Sequence, residues 1–111
     1  MSAGFRIKLE HDDAAWTLQC GGELDLATAD KLEEACDLCA DMRPEALLID
    51  GRDLTFIDSA GVTALMRCAS RCHENGIALS VEVSDQVREV LSRAGTAAER
   101  IVLGKPAVPA P

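Results

Sequence analysis

Asp58-Ser59 stands inside Phe56-Ile57-Asp58-Ser59-Ala60-Gly61, where an apolar run gives way to a helical pattern. The first backbone N–H groups of a new helix have no partner within it and point outward. A short polar side chain at such a place can do one of two things. It can cap the helix by accepting one of those N–H groups, a job that Asp and Ser both do well. Alternatively, it can display a hydroxyl where an added phosphate is tolerated, because a helix N-terminus favours negative charge. The spacing alone leaves both open.

The cysteines form a second candidate set. Cys36-x-x-Cys39 and Cys68-x-x-x-Cys72 invite a tetrahedral zinc reading. Both spacings are helical, however, and Cys36 and Cys39 fall on the stripe that the first helix needs for its core. Cys is often buried and behaves as a small hydrophobe. A thioredoxin-type pair belongs at a strand-to-helix junction, whereas this pair sits late in a helix. The cysteines are therefore read as mostly core residues, with no metal and no cofactor. The chain holds five of them and lacks a secretory signal, so a disulfide framework is not expected. Of the two histidines, His11 sits at a turn and His73 near the end of the second helix, where the dipole favours a cation. Neither has the companions of a triad or a ligand set. Gly21-Gly22 lacks the downstream spacing of a phosphate-binding loop. Two histidines leave little material for acid–base chemistry at neutral pH.

The elements that must position these residues follow from periodicity. Phe5, Ile7 and Leu9 alternate with Arg6, Lys8 and Glu10, a strand with one buried face. Trp16, Leu18 and Cys20 repeat the pattern, and His11-Asp12-Asp13 supplies turn chemistry between them, so the two runs form an antiparallel hairpin. Gly21-Gly22 closes the second run, and Glu23-Leu24-Asp25-Leu26 is a short extended piece. From Thr28, a plausible cap, Leu32, Ala35, Cys36 and Cys39 mark one stripe of an amphipathic helix that Pro44 stops by forcing Arg43 out of helical geometry. The acidic residues on its other face are simplest as a solvated face. Ala46-Leu47-Leu48-Ile49-Asp50 is nearly all apolar, the pattern of a strand covered on both faces. Residues 51–61 read as a loop into a second helix, whose buried face is Val62, Leu65, Met66, Ala69 and Cys72 and whose end is Asn75-Gly76. Ile77, Leu79, Val81 and Val83 make the next strand. Ser84 or Asp85 caps a third helix with Val87, Val90, Leu91 and Ala94 inward and Gly95 as its stop. Ile101-Val102-Leu103 can add a last short element. Strands joined through helices run parallel, so the expectation is an α/β fold: a mixed sheet of four to five strands with amphipathic helices packed on it.

Composition bounds the rest. At 111 residues the chain suits one domain, expected over 1–104, with 105–111 as a disordered Pro/Ala-rich tail holding three of the four prolines. Eleven basic against 19 acidic residues give −8, which disfavours direct nucleic-acid binding, and only three aromatics are available for stacking. No apolar run is long enough for a membrane span and none at the start suits a signal peptide, so a cytoplasmic protein without membrane insertion is expected. The charge and the lack of a surplus apolar stripe point to a monomer or weak dimer.

The segment Leu54-Thr55-Phe56-Ile57-Asp58-Ser59-Ala60-Gly61-Val62 resembles the signature of the STAS domain, found in bacterial anti-sigma-factor antagonists. Gly22-Glu23-Leu24-Asp25, Leu47-Leu48-Ile49-Asp50 and Asn75-Gly76-Ile77 also match, in the family's order, over roughly residues 5–103. The resemblance implies a binding module and not an enzyme, with an anti-sigma factor that has serine kinase activity as its partner. That kinase phosphorylates the hydroxyl after the aspartate and ends the binding; a phosphatase restores it. Carried onto this chain, the phosphoacceptor is Ser59, and the partner-binding loop and helix start comprise Asp25, Asp58, Ser59, Ala60 and Gly61. Some members have a second hydroxyl next; here that position is Ala60. Two other functions fit the same resemblance: a regulatory subunit of a lipid-transport ATPase complex, or a redox-responsive antagonist in which the cysteines carry the signal.

Overall fold

The computed structural model describes residues 4–94. The Gly95 stop, the Ile101–Leu103 element and the tail expected at 105–111 lie outside the described residues. Seven elements follow in order: β1 (Phe5–His11), β2 (Ala15–Leu24), α1 (Ala29–Asp41), β3 (Ala46–Ile57), α2 (Ser59–Glu74), β4 (Ala78–Val83) and α3 (Asp85–Arg93). The sheet order is β1-β2-β3-β4, with β1 antiparallel to β2 and the other two pairings parallel. This is the mixed sheet that the alternation of periods two and 3.6 implies.

Two neighbouring rows of the sheet show how it is oriented. Leu9, Leu18, Ile49 and Val81 lie side by side, and the last three are buried in the core with the helices' apolar stripes. In the adjacent row Lys8, Gln19 and Glu82 are exposed and Asp50 is half-buried. So β3 is not covered on both faces. Its Leu48 is only half-buried, flanked across the sheet by Thr17 and Ser80. The apolar Ala46 and Leu48 on the open face hide the period of two that β3 in fact follows.

The largest departure from expectation concerns residues 51–57, which continue β3 instead of forming a loop. They pair with Gly21–Leu24, so β2 likewise runs past Gly21-Gly22. Each extension supplies the backbone partners that the other lacks, a condition invisible to either segment alone. The register shifts twice along this stretch, and Gly22 sits in the irregularity at φ +91°, where a Cβ would run into the carbonyl oxygen of Gly4.

The helices keep their places but adjust their stripes. In α2 the buried residues are Gly61, Val62, Ala64, Leu65, Cys68 and Cys72, while Met66 is 36% exposed. Cys68 takes the seam position that periodicity assigned to Met66 and Ala69. In α3 only Val87 and Leu91 are buried; Val90 and Ala94 are exposed, because a nine-residue helix rests on the core along one turn. Ser84 caps α3, its hydroxyl accepting from Val87 N at 3.3 Å. Arg43, before Pro44, takes φ +52° just past the end of α1, and Gly76 takes φ +70° after α2. His11 ends β1 instead of lying in the turn, and its ring stacks on Trp16 with centroids 4.5 Å apart.

All five cysteines are buried. Contrary to expectation, two of them are joined: Cys36 of α1 and Cys68 of α2 form a disulfide, with Cα atoms 5.8 Å apart. Both lie on facing stripes of adjacent helices, at a separation that suits the bond. Cys20, Cys39 and Cys72 are free thiols.

Candidate functional site

Strands β2, β3 and β4 are parallel, so their C-terminal ends lie along one edge. The loops into α1, α2 and α3 gather there, the place where open α/β sheets present their binding residues. Asp58 occupies the turn between β3 and α2. Its backbone N–H donates to Leu24 O at 3.2 Å, which ties the turn to the end of β2.

Asp58 is the N-cap of α2. Its Oδ1 accepts from Gly61 N at 3.0 Å, and its carbonyl accepts from Val62 N at 2.9 Å. Its other carboxylate oxygen, Oδ2, accepts from Leu26 N at 3.2 Å, thirty-two residues earlier in the chain. One side chain thus fastens the β2–α1 loop to the start of α2. The cap question left open by the sequence is resolved in favour of Asp58.

Ser59 is released from that duty. It is the first residue of α2, it is exposed, and its hydroxyl has no hydrogen-bond partner among the described residues. The N–H groups of Ser59 and Ala60 are likewise without partners there, as the first turn of a helix dictates. A free hydroxyl therefore stands beside two free donors at the positive end of a sixteen-residue helix. Gly61 completes the turn by its lack of a side chain. A Cβ there would lie 2.5 Å from Leu24 O and 2.7 Å from Ile57 Cγ1, so only glycine lets α2 start this close to the sheet.

Asp25 lies in the loop that Asp58 holds, and its carboxylate closes the turn there. Its Oδ1 accepts from Ala27 N at 3.0 Å and from Thr28 N at 3.2 Å. Thr28 does not cap α1 with its side chain as expected. Its hydroxyl accepts from Asp25 N at 2.9 Å and donates to Glu23 O at 2.8 Å, closing the turn that carries Leu26. Turn closure draws the hydroxyl back toward β2, away from the helix it precedes.

Two residues at this edge were not singled out by type or spacing. Leu26, next to the Asp58 carboxylate, is 80% exposed, and Phe56, paired with Glu23 at the end of β3, is 45% exposed. The signal for Leu26 was present: an apolar residue in a polar turn, outside any alternation. Two clefts, of about 220 Å³ by His11 and Thr17 and about 200 Å³ by Arg6 and Cys20, are lined by neither Asp58 nor Ser59. No group of three or more His, Cys, Asp or Glu among the described residues could hold a metal ion. No described helix is long and apolar enough to cross a membrane.

Comparison with known proteins agrees with this architecture. The family model of the STAS domain matches residues 6–103. An anti-sigma factor antagonist from Mycobacterium paratuberculosis superposes with a TM-score of 0.70 at 23% identity, over 85% of this chain and 84% of that one. The anti-sigma factor antagonist SpoIIAA in its unphosphorylated form gives 0.72 at 17% identity, over 88% and 86%. A sulfate transporter family protein from Wolinella succinogenes gives 0.68 at 25% identity, over 79% and 75%. These likenesses establish the fold. No curated protein matches the chain.

Proposed function

The chain belongs to the STAS domain family, and on that premise we propose that it is an anti-sigma-factor antagonist, a binding module and not an enzyme. Its hold on an anti-sigma factor with serine kinase activity ends when Ser59 is phosphorylated, and a phosphatase restores it. The observation that carries this reading is the division of labour at the start of α2: Asp58 caps the helix, and the Ser59 hydroxyl is left exposed and unengaged. Two of the structural relatives bear the name of anti-sigma factor antagonist, which supports this choice of partner. The protein acts in the cytoplasm as a monomer or weak dimer, and the exposed Leu26 and Phe56 supply the apolar part of the contact.

The switch follows from electrostatics. Phosphorylation adds about −1.5 to −2 charges at Ser59. Within the domain the new charge is offset by the free N–H groups of Ser59 and Ala60 and by the helix dipole. At an interface the phosphate must be desolvated against the partner, with the Asp58 carboxylate already adjacent. The fold therefore tolerates the modification, while a partner shaped for a neutral hydroxyl is lost.

The test is a titration of the parent, Ser59→Ala and Ser59→Asp proteins against the purified anti-sigma kinase, with ATP and with ADP. Ser59→Ala is expected to bind and to resist ATP-dependent release. Ser59→Asp is expected to bind at least about 100-fold more weakly, the scale for a charge placed against a formed interface, while melting near the parent temperature. Equal affinities for the parent and Ser59→Asp, or phosphate incorporated into Ser59→Ala, would remove Ser59 from the mechanism.

A further inference from the structure

The seam between α1 and α2 is built as a ladder of pairs offset by 30 to 34 residues. Glu33 meets Arg67 at 3.2 Å, Cys36 is bonded to Cys68, and Arg71 reaches Asp37 at 3.8 Å and Asp41 at 3.4 Å. Cys39 is close enough to Cys72 to bear on its ionisation. Partners advance together along both helices, so α1 and α2 run parallel and both begin at the edge that carries Leu26, Asp58 and Ser59. Cys68 lies nine residues into α2 from Ser59, and Cys36 seven into α1 from Ala29. At 1.5 Å per residue the bond crosses the seam roughly 10–14 Å below that edge.

We propose that Cys36 and Cys68 are a reversible thiol–disulfide pair, a redox modification site that sets how firmly the Asp25–Leu26 loop and the start of α2 are held together. The bond closes a sequence separation of 32 residues, and the enclosed chain contains all of β3 and the Asp58–Ser59 turn. When it is intact, the two helix starts cannot shift independently. When it is reduced, the two helices are joined only by non-covalent contacts: the Asp58 hydrogen bonds to Leu24 and Leu26, the buried apolar seam, and solvated ion pairs that contribute little individually.

The chemistry is an exchange with a low-molecular-weight disulfide. One cysteine thiolate attacks that disulfide and expels a thiol; the other cysteine then attacks the mixed disulfide and expels the second. One Sγ–Sγ bond forms in the protein, two thiols are released, and the two electrons and two protons lost by the cysteines reside in those thiols. A dithiol reductant reverses each step. Both cysteines are buried, so exchange proceeds through local opening of the seam, whose rim is exposed and held by ion pairs. Cys39 and Cys72 stay as thiols beside the bond. Burial raises both of them, Cys72 to about 11, and a protonated thiol is a poor nucleophile.

The experiment needs no partner and so stands apart from the proposed function. The full chain is equilibrated with oxidised glutathione or with dithiothreitol, quenched in acid, and its thiols are counted after denaturation. Three are expected in the oxidised form and five in the reduced form, with peptide mapping placing the bond at Cys36–Cys68. Hydrogen–deuterium exchange then compares the two forms at Leu26 and at Asp58–Val62. Exchange there is expected to quicken at least threefold on reduction, and Tm to fall by roughly 10 °C or more. Cys36→Ala/Cys68→Ala should exchange like the reduced parent under both conditions. Cys39→Ala/Cys72→Ala, which keeps the bonded pair, should still respond. Five thiols after oxidation, a bond mapped to other cysteines, or unchanged exchange at Leu26 and Asp58–Val62 would overturn the proposal.

Discussion

Replacing Asp58 by alanine removes two hydrogen bonds that serve different parts of the molecule. Oδ1 caps α2 through Gly61 N, and Oδ2 holds Leu26 N across the chain. Loss of an N-cap costs about 1 kcal/mol. The hydrogen bond to Leu26 adds about 1 kcal/mol more, the value of an ordinary net hydrogen bond, because its exposure removes the extra strength of a charged acceptor. The sum is about 2 kcal/mol, which for a domain of this size lowers Tm by roughly 8–16 °C. Asp58→Asn separates the two contributions. Asparagine caps a helix as well as aspartate does, but its amide nitrogen would face Leu26 N with a donor where an acceptor is needed. Only the second contribution is then lost, about 1 kcal/mol or roughly 4–8 °C. Thermal unfolding followed by circular dichroism at 222 nm measures both shifts. Amide exchange at Leu26 should quicken in both variants, and exchange at Gly61 only in the alanine variant. An alanine variant that melts within 2 °C of the parent, or an asparagine variant as damaged as the alanine one, would refute the assignment of two roles to one carboxylate.

Further outcomes follow from the same geometry. Gly61→Ala should destabilise by about 1–3 kcal/mol, because its Cβ meets the backbone oxygen of Leu24, which cannot move aside as a side chain can; urea unfolding reads it, and an unchanged midpoint would show that α2 shifts freely. Leu26→Ala and Phe56→Ala should leave Tm nearly unchanged, since both side chains are exposed, yet weaken binding to the anti-sigma kinase by at least about tenfold in calorimetry. Undiminished affinity would place the contact elsewhere. Cys20 and Cys72 are held as thiols by burial, pushed up to about 12 and about 11. Their folded values exceed that of a free thiol, so their contribution to stability persists below about pH 9 and fades as pH rises through 11; a flat alkaline limb in unfolding experiments would contradict this. Asp50 is held below the usual carboxylate range chiefly by its hydrogen bonds from Arg52, at 2.9 Å to each oxygen. Its contribution is present above about pH 5 and lost as pH falls through the lowered folded value, so Asp50→Asn should flatten part of the acid limb. The effect is small because the pair is solvated.

Local patterns were enough for the elements and for the segment that matters. Alternation along Phe5–Leu9 and Trp16–Cys20, helical stripes from Leu32 and Val62, and the breaks at Pro44 and Asn75-Gly76 all act within a few residues, so one stretch of chain carries the whole signal. The mixed sheet follows from their order. Asp58-Ser59 was legible for the same reason: the first turn of a helix has unpaired N–H groups whatever surrounds it. Four features depended on residues that meet only in the folded state. The joint extension of β2 and β3 needs Gly21–Leu24 beside Asp53–Ile57. Leu26 joins the site because Asp58, a carboxylate with two oxygens, has one to spare after capping α2. Cys68, and not Met66, faces α1 because the sheet sets the rotation of α2, and that rotation brings Cys68 to Cys36. Thr28 turns its hydroxyl away from its expected cap because the end of β2 offers the Glu23 carbonyl. Periodicity tells which face of an element is buried; only packing against a partner some thirty residues away fixes which side chains meet there.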